Sequence, residues 1–370
     1  MYIGISPQAL AKRIIDERPF KRDFVAPTKL LTATPEGRIQ FQPNGDVLTL
    51  TPTKHALNQI AAHAGIPGDY AEKMRTEMPA LWAENVNAWF GKHDSRRLIR
   101  TLMNGDSANL RALMSEKFRE IDYYDVATQN IPVIEAAGCK IVACDITESR
   151  MYIQAVSEQL VEQIKSERAL GIRHAFRDIK DIVHPAITIS TSEVGQGAYN
   201  VESGIVRSYC NNLTVMTTVL RRIHVGRGRG SEFGDEAREW FTDETRKADD
   251  TAFWLKSRDL LQHALSPDVF QSNVAKLNGA TEIALPEKLS TVIEVTREQF
   301  GLSEAEGENV LTHLAREGDL TLYGLHNALT NSADEADGFD RAYELQRFGA
   351  RVIELGQPFV ARIAKAVALN

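Results

Sequence analysis

The N-terminal part of the chain alternates strand-like and helix-like patterns of apolar residues. Alternating apolar and polar residues, separated by Pro-Glu-Gly and Pro-Asn-Gly-Asp turns, are typical of short strands. The predicted strands are residues 24–32, 38–41 and 47–51. Apolar residues at helical spacing then predict a helix with Thr51 as its N-cap and Gly65 at its end. Two more helices are predicted over residues 69–75 and 79–90.

Strand patterns dominate the middle of the chain. The predicted strands here are residues 97–103, 110–115, 140–145 and 151–156, and residues 186–192 and 201–224 complete a strongly β-forming central region. The first two flank Asn104-Gly105-Asp106, a sequence typical of a tight turn, so they are expected to form a hairpin. A helix is predicted over residues 124–137, between the second and third strands of this series.

After Gly234, the apolar residues have the spacing of helices. The predicted helices are residues 236–264, 267–276, 286–300, 304–316, 322–332, 339–355 and 358–368. Because strands and helices are segregated along the chain, the pattern favours an α+β fold over a doubly wound parallel sheet. We predict an antiparallel hairpin and sheet core with packed helices over residues 1–233, and a helical C-terminal region over residues 234–370.

Composition narrows the class of protein. The chain has 370 residues, of which 43% are hydrophobic, which is enough for a substantial core. It has no apolar run of the roughly 18 residues that a membrane helix needs, and no N-terminal signal pattern, so a cytoplasmic protein is predicted. Cys139, Cys144 and Cys210 lie in apolar contexts and are predicted to be reduced core thiols.

One segment departs from the acidic character of the chain, whose formal net charge is −7. Residues 207–230 contain five arginines, one histidine and no carboxylate. Alternate residues of a strand share one face, and the glycines at 226, 228 and 230 allow the backbone to approach a phosphate closely. Tyr209, two residues after Arg207, is predicted to offer a ring for base stacking. Pairing of Arg221 and Arg222 with acidic residues just downstream is the alternative.

A second basic cluster surrounds the predicted hairpin, where Arg97 and Arg111 are expected to meet across the strands. A solvated sheet face is the alternative for this cluster, which also includes Lys92 and Arg96. Taken together, the predicted nucleic-acid-binding residues are Arg97, Arg100, Arg111, Lys117, Arg119, Arg207, Tyr209, Arg221, Arg222, His224, Arg227 and Arg229.

The sequence carries no strong signature of an enzyme. The glycine-rich segment after residue 225 lacks the G-x-G-x-x-G spacing, and no phosphate-binding P-loop occurs. The histidines are scattered, and Cys139 and Cys144 have no second pair at zinc-finger spacing. No catalytic residue, metal ion or cofactor is therefore predicted. The alternative is a metal-dependent nucleic-acid-processing enzyme that holds Mg²⁺ through Asp122, Asp125 or Asp145.

Several segments carry a family resemblance. They are residues 65–74 (GIPGDYAEKM), 81–89 (LWAENVNAW), 110–122 (LRALMSEKFREID), 189–195 (ISTSEVG), 207–212 (RSYCNN), 324–330 (GLHNALT) and 340–345 (DRAYEL). In sequence and order, across roughly residues 55–355, the chain resembles a widespread phage- and plasmid-encoded domain family of unknown function. It departs at Cys210, where relatives usually read Cys-Thr-Asn-Gly and this chain reads Cys-Asn-Asn-Leu.

The resemblance implies a mobile-element protein encoded near DNA replication and recombination genes, and it supplies no catalytic residues. Hairpins followed by a helix are also similar in outline to ring-forming single-strand annealing proteins, an analogy at the level of the fold. The expected function is therefore an oligomeric, non-enzymatic accessory protein of phage or plasmid recombination or replication. It is expected to bind single-stranded DNA, with strand annealing as a further expectation, and to work in the host cytoplasm without a cofactor.

A protein-binding module that neutralises a host factor is the alternative from a different class. Its working surface would be the acidic residues of the C-terminal helices. These residues are Glu304, Glu306, Glu308, Asp334, Glu335 and Asp337.

Overall fold

The chain folds around two β-sheets, with helices packed against both. The computed structural model describes residues 4–43, 45–104, 107–118, 121–164, 181–208, 212–222 and 242–369. Within these ranges each sheet has six strands. The predicted α+β class and the helical C-terminal region are confirmed. The predicted boundary at residues 233 and 234 lies outside the described residues.

The first sheet has the strand order β1-β5-β6-β4-β3-β2. Its strands are β1 (Lys21–Pro27), β2 (Leu31–Ala33), β3 (Ile39–Phe41), β4 (Leu48–Pro52), β5 (Arg96–Asn104) and β6 (Ser107–Ser115). Strands β5 and β6 form the predicted antiparallel hairpin. The pairing of β4 with β6 is parallel, so this sheet is mixed rather than purely antiparallel.

Among the described residues, the α-helices of the N-terminal part are α1 (Pro7–Glu17), α2 (Lys54–Ala64), α3 (Gly68–Glu77) and α4 (Pro79–Lys92). Helices α2 to α4 share an apolar core with the first sheet, in which Trp82 and Phe90 pack with Phe41. The N-cap of α2 is Thr53, whose hydroxyl accepts a hydrogen bond from the Ala56 amide at 3.1 Å, and not Thr51. Residue 51 is still part of β4, because that strand continues into its pairing with β6.

The second sheet has the order β12-β11-β10-β8-β7, and β9 also pairs with β10. Its strands are β7 (Cys139–Ile146), β8 (Met151–Ser157), β9 (Glu162–Ile164), β10 (Asp181–Thr191), β11 (Tyr199–Arg207) and β12 (Asn212–Arg222). Helices α1 and α5 (Tyr123–Ala136) cover one face of this sheet. Leu10, Ile14 and Val126 pack there with Ile153. Cys139 and Cys144 are buried free thiols, as predicted, whereas Cys210 lies outside the described residues.

The C-terminal helices share a core with the second sheet. They are α6 (Asp243–Ala264), α7 (Pro267–Thr281), α8 (Leu289–Phe300), α9 (Glu304–Glu317), α10 (Leu322–Asn331) and α11 (Phe339–Leu369). Val183 and Ile205 of the sheet pack in one cluster with Leu277, Leu322 and Leu345 of these helices. None of the described helices combines the length and the apolar character needed to cross a membrane.

A backbone break divides α11 at Gly356, whose φ of 55° and ψ of −146° are not helical. This break falls between the two helices predicted over residues 339–355 and 358–368. Beyond it, Phe359, Val360 and Ile363 are buried in the same core as the preceding helices. The second part of α11 is therefore an integral layer of the fold.

Helices α10 and α11 cross closely around a buried histidine. A Cβ atom at Gly349 would lie 2.4 Å from Cγ2 of Thr330, so only glycine fits this crossing without a shift of its neighbours. His326 is 2% exposed, and its Nε2 atom lies 3.2 Å from the Thr214 hydroxyl. Burial, together with the charge of Arg207, lowers the pKa of His326 to about 4. The imidazole is therefore neutral in the folded protein at pH 7.

The neutral state of His326 predicts a loss of stability in mild acid. The folded pKa lies below the ordinary value of 6.5, so the unfolded chain takes up this proton first as the pH falls. Above pH 6.5, the neutral His326 contributes a total of about 3 kcal/mol to the free energy of unfolding. This contribution is lost as the pH falls to about 4. Urea unfolding between pH 7.5 and pH 4 measures this slope. The slope should decrease in His326→Gln, and an identical pH dependence in both proteins would contradict the assignment.

Candidate nucleic-acid interface

Arg207 lies inside the protein. It is 3% exposed at the end of β11, where its Nε donates to Asp181 at 2.5 Å and its Nη1 lies 3.0 Å from both carboxylate oxygens of Glu317. Tyr323 donates a hydrogen bond to Asp181 at 2.7 Å, and Asn331 donates to Glu317 at 2.9 Å. This guanidinium connects the second sheet to α9 and α10. The prediction that Arg207 holds a phosphate is corrected accordingly, because its charge is used internally.

Arg100 is also internal, at 1% exposure on β5. Its Nε donates to Asp23 at 3.0 Å, its Nη2 to Asp122 at 2.8 Å, and its Nη1 to the backbone carbonyl of Glu193 at 2.8 Å. Arg111, whose side chain is 11% exposed, donates to the Glu193 carboxylate. Neither arginine presents a free guanidinium to the surface, which corrects their assignment to a phosphate-binding face.

Glu193 is the centre of this arrangement and connects the two sheets. It follows β10 of the second sheet, yet its carboxylate accepts hydrogen bonds at 2.7 Å from Lys21 of β1 and from the Tyr123 amide. Although burial alone would raise the pKa of Glu193, the charges of Arg111, Lys21 and Arg100 outweigh it and lower that pKa to about 2. We call this group the Glu193 cluster. Its members are Lys21, Asp23, Arg100, Arg111, Asp122 and Glu193.

The predicted pairing of Arg97 with Arg111 is not observed. Arg97 lies opposite Ser115 in the hairpin, and the register shifts between Arg100 and Thr101, beside Arg111. The side chains of Arg97 and Arg111 therefore have different neighbours. Arg97 lies at the end of the hairpin nearest α2 and α4, where it contacts His63.

Several predicted residues are only partly covered by the structure. Tyr209, His224, Arg227, Arg229 and Arg119 lie outside the described residues. The backbones of Arg221 and Arg222 end β12, where they pair with Asn200 and Tyr199 of β11.

A basic and aromatic surface forms where α2, α4 and β5 meet. We call it the Trp89 patch, and its members are His63, Trp89, Lys92, His93 and Arg97. The Lys92 ammonium lies 4.7 Å from the centroid of the Trp89 ring, and the His93 ring centroid lies at the same distance of 4.7 Å. Trp89 is half-buried, whereas Lys92 and His93 are exposed. The Lys92 ammonium therefore lies over the face of a partly exposed indole.

Arg97 and His63 form the second half of the patch. Arg97 donates from Nη2 to His63 Nδ1 at 3.2 Å and from Nε to the Ser95 hydroxyl at 3.1 Å. Burial, followed by the charges of Arg97 and His93, lowers the pKa of His63. The neutral ring accepts the hydrogen bond and orients the guanidinium, so Arg97 is positioned without a carboxylate partner.

The positive charge of this patch is not neutralised internally. Over the described ranges, neither Lys92 nor Arg97 lies within ion-pair distance of a carboxylate. Asp94, the nearest acidic residue in sequence, is bonded to Lys29 at 2.9 Å. Lys117 is exposed and follows Ser115, which lies opposite Arg97. Of the predicted residues, Arg97 is therefore a partly exposed cation and Lys117 an exposed one.

Sequence reasoning did not identify His63, Trp89 and His93 as site residues. A signal was present: Trp89, Lys92 and His93 have the i, i+3 and i+4 spacing of one helix face. The contact with His63 and Arg97 has no local signal, because these residues come from two other elements.

Three of the residues named for the alternative functions have partners within the fold. Asp122 is bonded to Arg100, and Asp145 accepts a hydrogen bond from the neighbouring Ile146 amide at 2.8 Å. The part of the chain that the structure describes contains no group of three or more metal-ligating side chains placed to hold a metal ion. Of the acidic residues, Glu306 binds Arg341 at 2.6 Å and completes the capping box of α9.

No protein-family model matches this chain, and no curated protein or solved structure is significantly similar to it. The resemblance to the phage- and plasmid-encoded family stays a prediction.

Proposed function

We propose that the protein binds single-stranded DNA through the Trp89 patch. The observation that carries the proposal is a half-buried indole with the Lys92 ammonium 4.7 Å from its centroid, together with Arg97, which is bonded to His63 of the same patch. Neither cation has a carboxylate partner among the described residues. Proteins that bind single strands combine aromatic rings, on which bases stack, with basic groups that follow the phosphates. The Trp89 patch contains both elements on one surface.

Each side chain has a separate role in this proposal. Trp89 lies on α4 and provides the ring for a base, an interaction worth roughly 1–3 kcal/mol per base. Lys92, Arg97 and Lys117 neutralise phosphates, and the hydrogen bond to His63 keeps the Arg97 guanidinium in place. A duplex would not expose its bases to the ring, so the patch favours single strands.

We further propose that the protein binds the strand as a homo-oligomer. A chain with a net charge of −7 repels a polyanion except at local basic surfaces, so one patch gives only a modest affinity. In a homo-oligomer, once one patch has bound the strand, the other patches bind the same strand intramolecularly, which raises the total affinity. Strand annealing and a role in phage or plasmid recombination remain part of the proposal through the resemblance alone.

Loss of the two cations should weaken binding and reduce its dependence on salt. We expect Lys92→Gln/Arg97→Gln to bind a fluorescent 30-nucleotide single strand at least about tenfold less tightly than the parent at low salt. The slope of log K against log salt should fall by about 1.4, since each phosphate contact to a single strand contributes about 0.7. Fluorescence anisotropy at a series of salt concentrations measures both quantities.

Lys140→Gln is the matched control, because Lys140 is an exposed lysine on the second sheet that is paired with Glu158 at 2.9 Å. It should bind as the parent does, and Trp89→Phe should bind more tightly than Trp89→Ala because it keeps a ring. A parent protein that does not bind the oligonucleotide, or a double variant with an unchanged salt slope, would overturn the proposal.

A further inference from the structure

A buried threonine lies between the two halves of the Trp89 patch. Thr28 is fully buried at the start of a short 3₁₀ turn, Thr28–Leu30, that directly follows β1. Its hydroxyl oxygen lies 3.1 Å from the carbonyl oxygen of Phe90 and 3.0 Å from that of His93, at the C-terminal end of α4. The last carbonyls of a helix have no amide partner within that helix, so a donor from outside satisfies them. Thr28 thus holds the last turn of α4, which is the helical half of the patch.

The same residue contacts the strand half of the patch. The Thr28 amide donates to the Ser95 carbonyl at 3.1 Å, and the Ser95 amide lies 3.4 Å from the Thr28 hydroxyl. Ser95 directly precedes β5, and its own hydroxyl accepts a hydrogen bond from Arg97 Nε at 3.1 Å. A continuous set of hydrogen bonds therefore connects the end of α4, through Thr28 and Ser95, to the Arg97 guanidinium.

A neighbouring ion pair reinforces this connection from outside. Lys29 of the same turn is paired at 2.9 Å with Asp94, which lies between α4 and β5. The two side chains are 60% and 32% exposed, so solvent weakens their attraction. The Thr28 hydroxyl is shielded from solvent, and its removal would leave buried carbonyl oxygens that water cannot reach. The connection therefore depends more on the hydroxyl than on the ion pair.

We infer that Thr28 is a positioning residue of the DNA-binding surface, and that it holds the Trp89 ring and the Arg97 guanidinium in a fixed relative position. A base and a nearby phosphate then meet groups that are already in place, and less conformational freedom is lost on binding. Thr28 does not contact the strand itself, because its side chain is buried. The inference rests on the proposed function, since this role requires that the patch binds a strand.

Two substitutions at residue 28 separate the hydroxyl from the shape of the side chain. Thr28→Val removes the hydroxyl, and we expect it to bind the fluorescent 30-nucleotide single strand at least about fivefold less tightly than the parent. Its slope of log K against log salt should fall by about 0.7, the value of one phosphate contact. Thr28→Ser keeps the donor and should bind within about twofold of the parent. Fluorescence anisotropy gives the affinities, at a temperature at which circular dichroism shows each variant to be folded.

Thr296→Val is the matched control, because Thr296 is a fully buried threonine of α8 whose hydroxyl also donates to a backbone carbonyl, that of Val292, at 2.7 Å. It should lower the thermal midpoint as Thr28→Val does, and leave the DNA affinity unchanged. In a Trp89→Ala/Arg97→Gln background, Thr28→Val should lower the affinity by less than about twofold, because it acts through those two side chains.

Ser95→Ala tests the connection to Arg97 independently, at a partly exposed position, even where Thr28→Val does not fold. It should lower the salt slope by up to about 0.7. An unchanged slope in Ser95→Ala, parent-like binding by Thr28→Val, or an equal loss of affinity in Thr296→Val would overturn this inference, while binding by the parent would uphold the proposed function. A parent protein that does not bind the oligonucleotide would instead overturn the proposed function, and this inference with it.

Discussion

Replacing Glu193 with alanine should lower the free energy of unfolding by about 3–5 kcal/mol, the cost of breaking a buried ion pair by removing one partner. The carboxylate is fully buried and is contacted by Lys21, by Arg111 and by the Tyr123 amide. Without it, two cations lose the negative charge that compensates their burial. Urea denaturation at pH 7, followed by circular dichroism, measures the change.

The control for this substitution is Glu158→Ala. Glu158 is 64% exposed and bonded to Lys140 on the same sheet, so its loss should leave the free energy of unfolding nearly unchanged. Glu193→Gln keeps the shape of the side chain and removes the charge, so it separates the electrostatic cost from the packing cost. A Glu193→Ala protein as stable as Glu158→Ala would show that the cluster does not hold the sheets together.

The low pKa of Glu193, about 2, adds a second signature in acid. A carboxyl group whose folded pKa is depressed stabilises the protein above its unfolded pKa of about 4.3, and this contribution is lost as the pH falls toward 2. This pH interval lies mostly below the interval from pH 6.5 to about 4 in which the contribution of His326 is lost. Glu193→Gln should therefore flatten the stability curve between pH 4.3 and pH 2 and leave its shape above pH 5 unchanged.

The second large effect is expected at Arg207. Arg207→Met should lower the free energy of unfolding by about 3–5 kcal/mol, because it removes the guanidinium that both Asp181 and Glu317 contact in the interior. Methionine keeps much of the side-chain volume, so the loss is mainly one of charge and hydrogen bonds. Chemical denaturation of the two proteins gives the difference directly.

Measuring both the stability and the DNA affinity of each variant separates a structural role of Arg207 from a role in DNA binding. Arg207→Met should bind single-stranded DNA as the parent does once the folded fraction is taken into account, whereas Lys92→Gln/Arg97→Gln should keep its stability and lose affinity. Arg258→Met is the matched control for stability, since Arg258 is an exposed arginine bonded to Asp259. A stable Arg207→Met protein that no longer binds DNA would show that Arg207 takes part in DNA binding.

Local patterns predicted the elements well where the chain signals its own turns. The hairpin of β5 and β6 follows from Asn-Gly-Asp, and the division of α11 follows from the Gly-Gln-Pro segment at residues 356–358. Helix α1 was missed, because only Leu10 and Ile14 of its eleven residues are buried and the rest of the segment is largely polar. The parallel pairing of β4 with β6 was also missed, since contacts between distant strands have no local signal.

The candidate site was predicted only in part, for a physical reason. A charged residue in a strand pattern does not reveal whether a carboxylate far along the chain will meet it. The partners of Arg100 and Arg207 include Asp23 and Glu317, which are 77 and 110 residues away. The same limit applies to the Trp89 patch, where the spacing within α4 is visible and the approach of Arg97 is not.

The Glu193 cluster also has a consequence for the order in which the protein folds during its synthesis. Lys21, Arg100 and Arg111 leave the ribosome well before Glu193, and domains generally fold from the N-terminus as the chain emerges. All the described strands of the first sheet precede residue 116, yet the carboxylate that compensates Lys21 of β1 and Arg111 of β6 is made about 80 residues after Arg111. The first sheet therefore reaches its final stability only when the nascent chain has passed β10.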